Sequence, residues 1–511
     1  MARFAVTTHV VATCWSLRLD GLLAQVRRAH EVLGATCVPG TTPTHLVEAR
    51  LDLLAHPPEP GDIERLVAVA EGRLLVTCRP GGSGSPPGRD ERHRLLSLAL
   101  AAGAAACDVE HDGGSLPERH GRSLILSHHW PLDGPEPAAI DVRDRLQAMA
   151  DLGPDVVKVA APVASAAGAL AWLDRGDAIP PRMGWAPVPL GHAGAWTRPL
   201  ARRLGLALAY FSADEFLPGG DFGQISLADA LGPFAVQDVS ARTRIFAVFG
   251  WPLRETWSPR LHSELFRRRG IDARLMPLPV RDIDEARSLM GALDVEGAAV
   301  TMPHKEGIRS LAGSESAHVA RSGVANTLRR RGERLEAESF DGVAVADLLA
   351  EALDLRDARV LVMGAGGAAR AAAAELVDAG ARVTIVARRG SQAAEAASRT
   401  GAAAASLDAL AGLPRDVLVN ATPVGSTGSP SFVADEGALD AAVVLDMVTT
   451  PAQTPLVALA RSRGRVVIDG LAMLARQAAA QQSFWLDGSG VMPPTPAEAL
   501  SVLRNLAATH G

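Results

Sequence analysis

At 511 residues the chain exceeds one ordinary domain, so two or three are expected. Its 48% apolar and 21% charged residues suit a globular enzyme with large cores, and no apolar stretch reaches membrane-span length. The net charge of -6 is small and the basic residues are scattered, which argues against a nucleic-acid partner.

The start, MARFAVTTHVVATCW, sets Arg3 before an apolar run, as a signal peptide would. Thr7, Thr8 and His9 interrupt that run, so it reads as a first strand. Further strands are expected near 45–52, 73–79, 105–110, 123–129, 156–161, 182–188 and 206–212, the first covering 4–12. Helical patterns at 17–33, 62–71, 91–103, 139–151, 163–175 and 194–204 fill most of the gaps. Eight strands alternating with helices predict a closed (β/α)8 TIM barrel over 1–235. The PGGSGSPPG loop (80–88) after the third strand reads either as a passive connection or as an active-site lid.

A boundary falls at 232–243, and the pattern restarts with the strand RIFAVFG (244–250). The remainder divides into an α/β lobe at 244–341, a doubly wound Rossmann lobe at 342–469, and a helical 470–511 that completes the first lobe. Ala runs at 102–106, 371–374 and 402–405 read as helix surface and tight helix packing. Cys14, Cys37, Cys78 and Cys107 form no CxxC pair, and most lie in strand-like runs. That usage argues against zinc or a disulfide framework and fits reduced thiols in the cytoplasm.

In the barrel, polar residues gather at strand ends. Glu48 and Arg50 come after strand two, Arg79 after three, Glu110 after four and His129 after five, while Lys158 lies on six and Gln224 follows eight. A barrel turns such a scatter into a ring at one face. Lys158 is flanked by Val156, Val157, Val159 and Ala160, a setting that lowers an amine's pKa and leaves it free to attack a ketone. His129, one strand away, is suited to carry the proton, and Glu110 to fix its tautomer. Taken alone, Lys158 reads equally as a snorkelling structural lysine. Arg50, Arg79 and Arg198 offer forked donors for a carboxylate, or exposed ion pairs.

The segments EARLD (48–52), DVE (108–110), SHH (127–129) and VVK (156–158) resemble type I 3-dehydroquinase in kind and order. The resemblance implies a Schiff base on Lys158, a proton carrier in His129, and substrate contacts from Arg198 in WTRP and Gln224 in FGQIS. The chain departs from that family at Gly220, where a Ser is usual, and in PGGSGSPPG, which lacks an acidic residue.

Downstream, RVLVMGAGGAAR (359–370) follows a strand and opens a helix, the context a dinucleotide fingerprint requires. Gly364, Ala365, Gly366, Gly367 and Ala368 form its turn, with Ala369 in place of the third glycine. The next strand ends in Arg388 and Arg389 where an NAD site carries an acid, so NADP(H) is expected, the alternative being a surface basic pair. Around this motif VTMPHK (300–305), ETWSP (255–259), GVANT (323–327), SFDG (339–342), NATPVGS (420–426) and GLAMLARQ (470–477) resemble shikimate dehydrogenase. The resemblance implies a catalytic pair in Lys305 and Asp341. It implies substrate contacts from Thr256, Ser258, Thr301, Asn326 and Gln477, and cofactor contacts from Met447 and Gly470. Hydride delivery to a ketone needs a proton donor at the nascent alkoxide, which a Lys–Asp pair supplies; a structural bridge is the alternative. Departures are Thr256 for Ser, Ala299 for Asn, Ser339 for Asn and Thr449 for Tyr.

Together these readings imply a bifunctional enzyme: dehydration of 3-dehydroquinate, then NADPH-dependent reduction of 3-dehydroshikimate to shikimate. Its partners are small molecules, with neither nucleic acid, membrane nor metal. Two rivals stand beside it. In one the second half oxidises quinate; in the other one half is inactive and serves binding or regulation.

Overall fold

The computed structural model describes residues 7–36, 44–81, 87–214, 216–218, 222–253, 256–429 and 440–510. They form two compact units, Met1–Thr243 and Arg244–Gly511. Among the described residues no helix is long and apolar enough to cross a membrane.

The first unit is built on parallel strands β1 (His9–Cys14), β2 (His45–Arg50), β3 (Leu74–Thr77), β4 (Ala106–Glu110), β5 (Ser123–His129), β6 (Val156–Pro162), β7 (Gly184–Leu190) and β8 (Leu208–Ser212). Each pairs with the next from β1 to β7, and β8 pairs with β1. Across the remaining seam the Ala207 N–H donates to Trp185 O at 2.8 Å, so the sheet is a nearly closed barrel. The helix expected over 194–204 is instead a short 3-10 turn, Ala195–Thr197, followed by further turns. Pro199 supplies no N–H there, and Ala201 N–H closes a tight bond to Arg198 O at 3.2 Å.

Strand alternation orders the barrel interior in layers. Val11, Leu46, Leu75, Ala106, Ile125, Ala186 and Leu208, with half-buried Val156 packed against them, form an apolar floor. Two residues further along the same strand faces come Thr13, Glu48, Thr77, Asp108, Ser127, Lys158 and Tyr210, and beyond them Arg50, Glu110 and His129. Val157 and Val159, fully buried, lie on the opposite face of β6. Those two valines therefore do not desolvate Lys158, as the flanking sequence suggested; the barrel interior does.

The second unit holds two sheets. One contains β9 (Arg244–Gly250), β10 (Ala273–Pro279), β11 (Val295–Val300), β12 (Ser314–Glu315), β13 (Thr327–Arg331) and β14 (Arg334–Glu338), in the order β10-β9-β11-β13-β14-β12. The other contains β15 (Arg359–Met363), β16 (Arg382–Ala387), β17 (Ala403–Ser406), β18 (Val417–Asn420), β19 (Val443–Asp446) and β20 (Val466–Ile468). Its strands are all parallel, in the order β17-β16-β15-β18-β19-β20. That is the doubly wound dinucleotide-binding order, whose switch point falls between β15 and β18.

Helices Gly470–Leu486 and Pro496–His510 pack on helix Ser258–Arg268 through Leu261, Leu265, Leu471, Leu474 and Leu503. Trp485 lies 5.1 Å from the Phe246 ring and donates its indole N–H to Leu328 O at 2.9 Å. Of the Ala runs, only 371–374 is helix packing. A Cβ at Gly342 would stand 2.1 Å from Ala371 O, so the two helices meet backbone to backbone. The run 402–405 enters the edge strand β17, and 102–106 leads out of a helix into β4.

Candidate active sites

Lys158 is 2% exposed, and its Nζ donates to Asp108 Oδ2 at 2.5 Å. Fully buried Asp108 also accepts from the Ser127 hydroxyl, with the Arg79 guanidinium 3.6 Å away. Burial alone would raise the Asp108 carboxyl, but Lys158 and Arg79 outweigh it and hold the group well below the usual carboxylate range. For Lys158 burial wins: it lowers the amine's pKa against the opposing pull of Asp108, and Arg79 adds to the lowering.

In the next layer His129 Nδ1 lies 2.6 Å from Glu110 Oε2, and the His129 backbone N–H donates to Glu110 Oε1 at 2.9 Å. Burial pushes His129 well below its ordinary value, reinforced by the charges of Arg79 and Lys158, so the ring is neutral. Burial also raises Glu110. A carboxylate facing Nδ1 assigns the proton to that nitrogen and leaves Nε2 with its lone pair free to act as a base.

The remaining nominated residues of the barrel divide in two. Glu48 is buried inside β2, not beyond it, and accepts from the Thr13 and Thr77 hydroxyls at 2.7 Å each. Arg50 forks onto buried Asp52 at 2.6 and 3.0 Å, which is an interior pair, not an exposed one. Arg198 and Gln224 hold the segment after β8, Arg198 donating to Phe222 O at 2.8 Å and Gln224 accepting from Leu217 N–H at 2.7 Å. Gly220, Cys37 and most of the 80–88 loop lie outside the described residues. Sequence reading passed over Asp108 and Tyr210. Asp108 was signalled by standing two residues before Glu110 on one strand face, and Tyr210 by standing two after Leu208.

In the second unit Lys305 Nζ donates to Asp341 Oδ2 at 2.5 Å, and Asn326 Nδ2 donates to Asp341 Oδ1 at 2.7 Å. Asn326 is itself fixed, its Oδ1 accepting from the Phe340 N–H at 2.9 Å and the Thr327 hydroxyl at 2.8 Å. Thr256 and Ser258 hydroxyls lie 3.3 Å apart at the start of helix Ser258–Arg268. Thr301 follows β11, and Gln477 is half-buried on helix Gly470–Leu486. Ser339 is buried and its hydroxyl has no hydrogen-bond partner among the described residues.

Three family models match in succession: type I 3-dehydroquinase over 29–237, the shikimate dehydrogenase substrate binding domain over 248–328, and shikimate / quinate 5-dehydrogenase over 346–449. The shikimate dehydrogenase (NADP(+)) of Acidiphilium cryptum is 35% identical over 261 residues, covering 50% of this chain and 94% of that protein. That of Pyrococcus furiosus is 32% identical over 269 residues, covering 52% and 98%. The chain belongs to the shikimate dehydrogenase family. Its first unit carries a type I 3-dehydroquinase domain, and the protein is a bifunctional enzyme of the shikimate pathway. Among solved structures, a chorismate mutase/shikimate 5-dehydrogenase fusion protein from Clostridium acetobutylicum covers 52% of this chain and 98% of its own, at 25% identity and a TM-score of 0.48.

In the shikimate dehydrogenase unit the Gly-rich turn has the shape a dinucleotide phosphate needs. Gly364 takes φ 110°, and a Cβ there would stand 2.9 Å from Ala421 O. Gly366 faces open space at the N-terminus of helix Gly367–Asp378, where free backbone N–H groups favour an anion. Gly367 serves a different purpose: a Cβ there would meet Lys305 Cδ at 3.1 Å, so the turn packs directly against the Lys–Asp pair. Arg388 and Arg389 are exposed just beyond β16, with Arg389 Nε donating to Gln392 Oε1 at 3.0 Å. Met447 N–H donates to Asn420 O at 3.0 Å, and Gly470 is required by packing, since its Cβ would stand 2.0 Å from Val448 O.

Proposed function

We propose that the barrel dehydrates 3-dehydroquinate to 3-dehydroshikimate through an imine on Lys158, and that the second unit reduces this product to shikimate with NADPH. The observation that carries the reading is that one chain holds a buried lysine paired with Asp108, a histidine held by Glu110 in the same barrel and, separately, a Lys–Asp pair packed against a Gly-rich turn.

In the barrel, the free amine of Lys158 attacks the substrate ketone and water departs, leaving a protonated imine. That imine acidifies the neighbouring C–H. His129 Nε2 takes the proton and returns one to the departing hydroxyl, which leaves as water. Hydrolysis of the imine then frees the product and restores the amine. Glu110 orients His129, while Glu48, Arg50, Arg79, Arg198 and Gln224 hold the hydroxyls and carboxylate of the substrate. The interior position of Glu48 and Arg79 beside Asp108 supports those roles.

In the second unit, Lys305 gives a proton to the nascent alkoxide while Asp341 holds its ammonium. Asn326 fixes Asp341, and with Thr256, Ser258, Thr301 and Gln477 it binds the ring hydroxyls and carboxylate. NADPH, when bound, supplies the hydride. Gly364, Ala365, Gly366, Gly367 and Ala368 would hold its phosphates, Arg388 and Arg389 its 2′-phosphate, with Met447 and Gly470 beside it. The functional domains are then 1–235, 244–341 completed by 470–511, and 342–469. Buried, unpaired Cys14, Cys78 and Cys107 support a reducing, cytoplasmic setting.

A coupled assay tests the proposal. Purified full-length protein given 3-dehydroquinate and NADPH is expected to consume nicotinamide absorbance. No consumption, with 3-dehydroshikimate still reduced when supplied directly, would reject the barrel's part in it.

A further inference from the structure

Tyr210 is the single tyrosine of the chain. It stands on β8 in the same interior layer as Lys158, above the apolar floor formed with Leu208. The Lys158 Nζ lies 4.1 Å from the centre of its ring. Its hydroxyl is buried and has no hydrogen-bond partner among the described residues. Burial pushes the phenol well above its ordinary value, the carboxylates of Asp108 and Glu48 add to this, and the group stays a neutral donor. A ring face alone would satisfy the contact with the lysine, and phenylalanine would supply that. The hydroxyl has no role in the free protein, where an unpaired buried donor is unfavourable.

We propose that Tyr210 is a further catalytic residue of the dehydratase site. Its ring face carries the positive charge of the protonated imine at Lys158 Nζ, and its hydroxyl donates a hydrogen bond to an oxygen of the hydroxy-ketone bound there. A substrate carbon bonded to Nζ lies beside the same ring, within reach of a donor at its edge. The inference rests on the imine reading of Lys158.

The test uses full-length Tyr210→Phe and Tyr210→Leu. In Tyr210→Phe, kcat/KM for dehydration is expected to fall about tenfold, with the borohydride adduct on Lys158 still formed. In Tyr210→Leu it is expected to fall further, about a hundredfold, with less adduct, because the cation has lost its ring. A second readout keeps the test independent of folding. Wild-type protein grown with tyrosine carbon-13 labelled at Cζ alone gives one labelled tyrosine resonance, which is expected to move when the borohydride-reduced substrate adduct is made. A Tyr210→Phe variant with wild-type kcat/KM overturns the inference, and so does a resonance unmoved in the adduct. If wild-type protein gives no adduct, the imine reading itself falls; if it does and Tyr210→Phe is unimpaired, only the role of Tyr210 falls.

Discussion

The two units each contain a lysine donating to an aspartate at 2.5 Å, Lys158 to Asp108 and Lys305 to Asp341. Their surroundings separate them. The Lys158 side chain is 3% exposed and Asp108 fully enclosed, with Arg79 and the Tyr210 ring against them. Lys305 keeps 16% of its side chain in contact with solvent, and Asp341 is anchored by the neutral amide of Asn326. In the barrel, burial and a second cation work against the ammonium and favour a free amine, which suits a nucleophile. Beside the Gly-rich turn the lysine side chain reaches solvent, which suits the proposed proton donor. In the proposed function one pair of residue types at one distance serves two chemistries, and environment makes the difference.

Four changes would break or sharpen this contrast. Lys158→Met is expected to abolish dehydration, by at least about 10⁴-fold, and the borohydride adduct with it, while reduction of 3-dehydroshikimate is untouched. Parallel assays of both steps check this; residual dehydration at wild-type rate ends the nucleophile assignment. Lys305→Ala is expected to do the converse, lowering reduction by roughly 10²–10⁴-fold at unchanged dehydration.

Asp108→Asn leaves Lys158 and Arg79 without their shared anion, and is expected to destabilise the first unit by about 3 kcal/mol, the usual scale for breaking a buried pair. Denaturant midpoints measure it, and no change would mean that solvent reaches the pair. The smallest effect concerns pH. The proposed role of His129 is that of a neutral base, and its pKa is depressed by burial, with help from Arg79. The acid limb that His129 sets in kcat, after the amine has reacted, should therefore lie well below pH 6.5, the ordinary histidine value. Removing the cation in Arg79→Gln favours the charged imidazolium, so the acid limb of kcat should move to higher pH. A limb that stays in place would show that burial alone sets His129.

Much of this was open to sequence reasoning. Alternation along strands places Glu48, Glu110, His129 and Lys158 on one interior face once eight strands are accepted. The Gly-rich segment between β15 and its helix was readable because the turn, the strand before it and the helix after it are all local. What failed was inference from immediate neighbours. Val157 and Val159 looked like the source of Lys158's dry setting, yet they occupy the other face of the strand. Asp108 went unnoticed beside Glu110, although the DVE segment carries both. Arg50 read as a forked donor for a carboxylate or as half of an exposed ion pair, and only burial shows its pair with Asp52 to be internal. Three alanine runs looked alike and proved to be a helix interface, an edge strand and a connection.

The chain by itself determined which residues line up along each strand and turn, because side-chain direction repeats every two residues in a strand and φ preferences are local. It determined the kinds of chemistry those residues carry. Only the tertiary structure decided their partners: Asp108 reaches Lys158 across 50 residues, and Asp341 reaches Lys305 across 36. Charge–charge interaction depends on distance and on the dielectric between groups, and neither is a property of neighbours in sequence.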